Sequence, residues 1–408
     1  MASQEQLVVT EVRMADVFDK CHNLIFHAVR QLRESGNYFY FREIESPQDS
    51  EVIVGGRRVI MVGSNNYLGL TCHPRVKEAT IKAVEKYGTG CAGSRFLNGN
   101  LEIHEEFERK LARFFKKQSA LIFATGYQTN VGTISALLGR RDAAILDQYD
   151  HASILDGCRL SFGHVKKYRH NDMKDLHRVL EATKEYGQFI VVDGVFSMEG
   201  DIADLPSIVK LAKTYGARIM VDDAHGIGVL GKTGRGTTQH FGLEEQVDLL
   251  MGTYSKSLAA VGGFVVGDQT TIDYIKHTAR SLMFSASLPP ASVAAASAAL
   301  DVMEEDPGLL ERLWKNTRKM LDGYKALGFD TGMSETPIIP VVIKDPIKTY
   351  RMCSLLFDQG VFVNPIVSPA VPPGRELLRT SFMATHTDSQ LDQVLSAFEK
   401  VGKQLDII

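Results

Sequence analysis

Between residues 120 and 266, short apolar runs alternate with segments of helical period, and no other feature of the chain constrains its fold as tightly. Ala120–Ala124, Ala143–Asp147, Phe189–Asp193 and Arg218–Asp223 read as strands. Thr125-Gly126-Tyr127 turns into a helix carrying Val131, Ile134 and Leu138. Pro206–Tyr215 is another helix, with Ile208 and Leu211 inward, and Gly216 stops it. A strand that is apolar along its length has both faces covered, so the alternation predicts a mostly parallel sheet between two layers of helices, an α/β fold. Ligands of such sheets bind at the carboxyl ends of the strands, where the loops converge.

The flanks are organised differently. Residues 1 to about 45 read as a polar lead-in and a helix on which Val17, Cys21, Leu24, Ile25, Val29 and Leu32 recur. Gly55-Gly56 reads as a hairpin turn between Glu51–Val54 and Arg57–Val62. Pro74 opens a helix that Gly88 ends after Tyr87, and Leu101–Phe115 is an amphipathic helix. Pro289-Pro290 marks a break, after which the Ala-rich helix Ala291–Met303 leads into an α+β arrangement. There we expect a helix over Leu309–Leu327, strands near Ile338–Ile343, Val361–Val363 and Leu377–Phe382, a Pro-rich loop at Pro365–Pro373, and a last helix from Asp388. The expected division is an N-terminal segment (1–60), a large domain (61–290) and a small C-terminal domain (291–408).

Lys+Arg 46 against Asp+Glu 49 leaves a net charge of -3 over 408 residues, so a nucleic-acid partner is not expected. The five cysteines are scattered and form no C-x-x-C, which fits reduced thiols and argues against a zinc site. Glu5, Glu11, Asp16 and Asp19 interrupt any basic-then-apolar leader, and no apolar run approaches the roughly 18 residues of a membrane span. A cytoplasmic protein is the expectation, with peripheral membrane contact left open.

The chemistry centres on Gly252–Phe264. Lys256 stands among Thr253, Ser255 and Ser257, between the apolar runs Leu249–Met251 and Phe264–Val266. Partial burial lowers a lysine's pKa and frees its nucleophilic amine for imine chemistry, and neighbouring hydroxyls suit a phosphate. Together they point to pyridoxal 5'-phosphate carried as a Schiff base on Lys256; the plain alternative is a surface lysine in a Ser-rich turn. Asp222 and His225 follow the Ile219–Val221 strand, where a carboxylate can pair with a pyridinium nitrogen and an imidazole can reach the ring oxygen or imine. Without a second cluster at metal spacing, a metal site is not expected there. His151 follows a strand end and can stack on a pyridine ring. The Gly126-Tyr127 turn offers backbone amides to a phosphate, and Ser197 lies in a further loop that draws no attention by itself. Arg379 sits inside an apolar strand and needs an anion, either a substrate carboxylate or an internal one. The glycine-rich loop Gly88–Gly99 carries Arg95 but lacks the Lys-Ser/Thr of a P-loop. Arg95 and Asn65, the latter in the polar-aromatic loop Ser64–Leu70, complete the candidates for substrate contact.

Asn65-Asn66-Tyr67-Leu68-Gly69, His151-Ala152-Ser153, Val195–Asp201, Asp222–His225 and Gly252–Lys256 follow one another along nearly the whole chain. In these motifs the chain resembles the α-oxoamine synthases of the fold-type I pyridoxal phosphate enzymes. Gly252–Gly263 and Ala370–His386 look most like the bacterial members that acylate serine. The resemblance implies a fold-type I transferase with a mixed, mostly parallel sheet. It makes Lys256 the Schiff-base lysine, Asp222 the pyridinium partner, His151 the stacking ring and His225 the ring-oxygen contact. Gly126, Tyr127, Thr253 and Ser255 would surround the phosphate, and Arg379 would hold the amino-acid carboxylate. The implied reaction joins L-serine to a long-chain acyl-CoA, such as palmitoyl-CoA, with loss of carbon dioxide, in a homodimer with a shared active site. The product would be 3-ketodihydrosphingosine. A glycine-using member, such as a 2-amino-3-ketobutyrate CoA ligase or an 8-amino-7-oxononanoate synthase, is the alternative. Ala286, in Phe284–Pro289, stands where several relatives carry a hydroxyl toward the partner subunit's phosphate, which leaves that contact open.

Overall fold

The computed structural model describes residues 16–22, 24–36 and 38–408. The chain forms two units, Met1–Arg42 and Glu43–Ile408. In the first, the expected helix is present as Leu24–Glu34 after a single 3-10 turn, Asp19–His22. The guanidinium of Arg33 lies 4.7 Å from the centre of the Tyr38 ring, and that of Arg42 lies 4.2 Å from the centre of Phe39. The polar lead-in, 1–15, lies outside the described residues.

The second unit begins with a hairpin, β1 (Glu51–Val54) and β2 (Arg57–Met61), closed by Gly55 and Gly56 at φ +57° and +70°. A two-residue hairpin turn needs positive φ at both positions, which glycine supplies without strain.

The alternating region builds a seven-stranded sheet. Its strands are β3 (Ser119–Phe123), β4 (Asp142–Asp147), β5 (His164–Tyr168), β6 (Gly187–Asp193), β7 (Arg218–Asp222), β8 (Leu249–Thr253) and β9 (Gly263–Gly267). They lie in the order β3-β9-β8-β7-β6-β4-β5. All run parallel except at β9, which is antiparallel to both neighbours. One face packs Leu121, Leu146, Val191, Met220 and Val265 against Ile134 and Ile154 of the covering helices. The other packs Ile145, Ile190, Val192 and Val221 against Leu176, Leu180 and Ile208. Each such fully buried aliphatic side chain stabilises the fold by about 1.5–3 kcal/mol. This two-sided covering is why the inner strands read as continuous apolar runs. The edge strand β5, His-Val-Lys-Lys-Tyr, is exposed over its first four residues.

Beyond the sheet, the helix Pro290–Glu305 buries Val293, Ala296, Ala299 and Leu300 in one cluster with Tyr67, Phe107, Leu111 and Phe264. The last part of the chain forms an antiparallel sheet of β10 (Ile338–Val342), β12 (Asn364–Ile366) and β13 (Leu377–Ser381), in the order β10-β13-β12. The intervening β11 (Val361–Phe362) instead pairs in parallel with β2, Val361 opposite Ile60. Residues 51–61 therefore share a sheet with the C-terminal part of the chain. No helix among the described residues is long and apolar enough to cross a membrane.

Candidate active site

At the carboxyl ends of the central strands lies a pocket of about 330 Å3, into which Gly126, His151, Asp193, Asp222, His225 and Lys256 converge. Topology brings them there. Asp193 and Asp222 end adjacent strands and stand opposite each other in register, and Thr253 ends β8 three residues before Lys256. His151 caps the helix Ala152–Arg159, which follows β4.

One wall is suited to an anion. Thr125 caps the helix Gly126–Leu137 by accepting a hydrogen bond from the Gln128 amide at 3.0 Å, which leaves the first-turn amides of Gly126 and Tyr127 at the pocket. The positive end of the helix dipole points the same way. The hydroxyls of Thr253 and Ser255 stand 3.0 Å apart beside it. The space is close-fitting: a Cβ at Gly126 would come within 2.8 Å of Thr253 Oγ1, and one at Gly263 within 2.5 Å of Thr129 Oγ1. The Tyr127 phenol turns outward and donates to the Asp156 carboxylate.

One turn further along the same helix, Asn130 donates one amide hydrogen to Asp222 Oδ2 (2.6 Å) and the other to Ser153 Oγ (2.8 Å). The Ser153 hydroxyl lies 2.7 Å from His151 Nδ1, and the Ser153 backbone amide also donates to that nitrogen at 3.3 Å. Because an amide can only donate, Nδ1 is the acceptor and the imidazole proton sits on Nε2. Burial pushes the pKa of His151 down, as does the charge of Lys256, against the pull of Asp222. His151 is thus a neutral ring of defined tautomer.

Lys256 is partly buried, and desolvation lowers its amine to about 8 despite the carboxylates of Asp222 and Asp193. His225 is buried and held neutral by desolvation and by the nearby charges of Lys256 and Arg379. Its Nδ1 lies 2.7 Å from the Tyr67 hydroxyl, which burial raises to about 12 and so keeps protonated. Asn65 stands behind this pair, its side-chain oxygen 3.4 Å from the same hydroxyl. Burial, with Asp222 and Asp150 close by, raises Asp193 well above the ordinary carboxylate range.

A family model for aminotransferase class I and II matches residues 57–398. The chain belongs to the aminotransferase class I and II family. Within it, the chain is 54% identical over 383 residues to a serine palmitoyltransferase of Sphingobacterium spiritivorum, covering 94% of this chain and 96% of that one. It is 47% identical to an 8-amino-7-oxononanoate synthase of Thermoanaerobacter pseudethanolicus over 95% of this chain and 99% of the other. A solved structure described as SPT with PLP internal aldimine superposes with a TM-score of 0.94 at 38% identity, covering 97% of this chain and all of that one. These relatives establish the fold-type I architecture for this member of the aminotransferase class I and II family.

Four candidates, Asn65, Arg95, Ser197 and Arg379, lie outside the pocket lining. The Ser197 backbone carbonyl accepts a 2.6 Å hydrogen bond from Arg379 Nε, so Ser197 meets Arg379 through its main chain. Arg379 is buried in β13, and no carboxylate pairs with it among the described residues. Arg95 finds its anions within the protein. Its guanidinium is taken by Glu108, at 2.8 and 3.1 Å, and by Glu105 at 3.2 Å, so it holds the glycine-rich loop to the helix Glu102–Phe114. Asn130, Ser153, Asp193 and Tyr67 escaped the sequence reading. Asn130 gave a signal, as a polar residue one turn into a helix that opens at a phosphate-type turn; Asp193 gave another, as an acid ending an apolar strand.

Proposed function

We propose that this protein is a pyridoxal phosphate-dependent acyltransferase that condenses L-serine with a long-chain acyl-CoA, the serine palmitoyltransferase reaction. The observation that carries the reading is the single pocket in which a partly buried amine of lowered pKa, Lys256, faces a buried carboxylate, Asp222, and a neutral ring, His151. The serine palmitoyltransferase names of relatives at 51–54% identity support the substrate choice.

The residues present fit pyridoxal phosphate. The amide-and-hydroxyl wall offers donors to a phosphate, Asp222 offers a buried carboxylate for a pyridinium nitrogen, and Asn130 Oδ1 is a buried acceptor with no partner among the described residues. Bound there, the cofactor supplies an electron sink for the α-carbon of an amino acid. Lys256 Nζ would hold the cofactor's aldehyde carbon, and as a free amine of lowered pKa it would take and return the α-proton. Asp222, held in place by the bond from Asn130, would face the pyridinium nitrogen, and His151 would provide a flat face and one outward N–H. His225, backed by Tyr67, would hydrogen-bond the ring oxygen. Arg379 pairs with the amino-acid carboxylate, and its Nε bond to Ser197 fixes its direction. In the net reaction a bond forms between serine Cα and the acyl carbonyl carbon, the C–S bond breaks, CoA leaves, and the carboxylate departs as carbon dioxide. The product is 3-ketodihydrosphingosine.

We also propose a homodimer sharing this site. Leu97 (80% exposed), Phe96 (53%) and Phe284 (73%) present apolar surface on two segments that the Ser287 amide ties together through its bond to the Gly93 carbonyl. The same reading includes a large domain over 61–290, a small one over 291–408, and a cytoplasmic enzyme whose lipid product favours contact with a membrane surface. The test is one assay of purified protein with serine, glycine and alanine against acyl-CoAs of different length. Serine with a long chain should turn over fastest. Faster turnover of glycine with a short acyl-CoA defeats the serine reading, and borohydride reduction that labels a lysine other than Lys256 defeats the site.

A further inference from the structure

We propose that His170, which lies outside the pocket, is a positioning residue that sets Arg379 by clamping the loop on which Arg379 rests. The inference depends on Arg379 being the group that binds the amino-acid carboxylate.

His170 follows β5, and both its ring nitrogens face carboxylates: Nδ1 lies 3.0 Å from Asp147 Oδ1 and Nε2 2.9 Å from Asp201 Oδ2. A carboxylate can only accept, so the ring carries both protons and is a cation between two anions. Burial works against that charge, but the hydrogen bonds from Asp147 and Asp201 outweigh it and push the imidazole up to about 9. The ring is further confined between Tyr149, 4.5 Å away, and Phe196, edge-on at 4.4 Å. The two carboxylates belong to different parts of the site. Asp147 ends β4 and is fixed by the amides of Tyr149 and Asn171. Asp201 closes the loop Phe196–Asp201, its carbonyl accepting from the Phe196 amide at 3.0 Å.

That loop carries the support of Arg379. The Ser197 carbonyl accepts from Arg379 Nε at 2.6 Å, and two residues on Glu199 pairs with Arg375 at 2.9 Å. Asn171 reinforces the same joint by donating to the Ile202 carbonyl at 3.0 Å and accepting from the Asp204 amide at 3.0 Å. His170 therefore ties the end of β4 to the loop whose Ser197 carbonyl holds Arg379 Nε. Loosening the joint frees Ser197, and with it the direction of the guanidinium, while the pocket wall around Lys256 keeps its own bonds.

The experiment uses the full chain loaded with pyridoxal phosphate and compares wild type, His170→Gln, the isosteric Asp201→Asn, Arg379→Ala and the double variant Arg379→Ala/His170→Gln. The readouts are KM for serine and for acyl-CoA, kcat, and a serine Kd from the visible absorbance of the cofactor. In the two clamp variants the serine KM and Kd should rise about five- to tenfold, with acyl-CoA KM and saturated kcat within about twofold, the pattern of lost ground-state binding. In the double variant His170→Gln should add nothing beyond Arg379→Ala, because both act through one group. Unchanged serine affinity in Asp201→Asn and His170→Gln, alongside a weakened Arg379→Ala, overturns the clamp. Equal losses in all kinetic constants, or an additive effect in the double variant, overturn it too by reducing His170 to general stability. If Arg379→Ala itself leaves serine affinity unchanged, the reading of Arg379 fails, and the clamp falls with it. Should His170→Gln not fold, Asp201→Asn alone decides.

Discussion

Two buried arginines, Arg95 and Arg379, have opposite surroundings. Arg95 meets Glu108 in a two-pronged pair with a further bond to Glu105, and its charge is neutralised within the protein. Arg379 is about as deeply buried, yet it meets a main-chain carbonyl and the Tyr67 hydroxyl and has no carboxylate partner among the described residues. A buried cation that has found its anion is part of the fold; one that has not is set for an anion from outside. From sequence both are a lone arginine in apolar or glycine-rich company. Only the packing tells them apart.

The contrast can be broken by substitution. Arg95→Ala should have the largest effect, because it leaves Glu108 buried and uncompensated. Loss of one partner of a buried pair costs about 3–5 kcal/mol, which a drop in denaturation midpoint will show, while serine KM in the surviving folded enzyme stays within about twofold. A normal midpoint with weakened serine binding would reverse the assignment of the two arginines. Arg379→Ala should do the converse: a charge-assisted pair contributes about 1.5–3 kcal/mol, so serine affinity falls roughly tenfold or more while the midpoint hardly moves. Arg379→Lys should recover only part of that loss, since an ammonium cannot make the two-pronged contact.

Lys256 and His170 sharpen the comparison with cations that titrate. The lowered amine of Lys256 becomes neutral as pH rises through about 8, so the rate at which the apo-protein takes up pyridoxal phosphate should climb through that range. A rate that is flat from pH 7 to 9 would contradict it. His170 lies on the other side, raised to about 9 by its two carboxylates. A group raised on folding stabilises the fold fully below its unfolded value and loses that contribution as pH climbs through the folded one. Wild type should therefore lose its advantage over His170→Gln between about pH 6.5 and 9, a small shift measurable by urea titration at several pH values.

The central sheet was legible because its inner strands are covered on both faces: β6 and β8 announce themselves through the apolar runs Phe189–Val192 and Leu249–Met251. The edge strand β5 was not, since three of its first four residues, His164, Lys166 and Lys167, are polar where water replaces a neighbouring strand. The helix Pro346–Asp358 was also missed, its stripe of Thr349, Met352, Cys353 and Leu356 being weaker than that of its neighbours. In the site, Lys256, Asp222, His151 and His225 were legible from motif and position. Asn130 and Ser153 join Asp222 to His151 through bonds between residues 23 and 92 apart in the chain, a spacing that no local pattern encodes. The internal pairing of Arg95 was not legible, because its partner Glu108 lies 13 residues on, in the middle of the helix Glu102–Phe114.

The pairing of β2 with β11 joins Ile60 to Val361 across some three hundred intervening positions. During synthesis the hairpin leaves the ribosome early, with the edge of β2 unsatisfied. At roughly 5–20 residues per second, about 15–60 s pass before its partner strand exists. Through that interval the exposed edge can recruit any passing strand, including that of a neighbouring nascent chain. The late closure of this sheet makes it the step at which a chaperone that shields edges would raise the yield of native protein most.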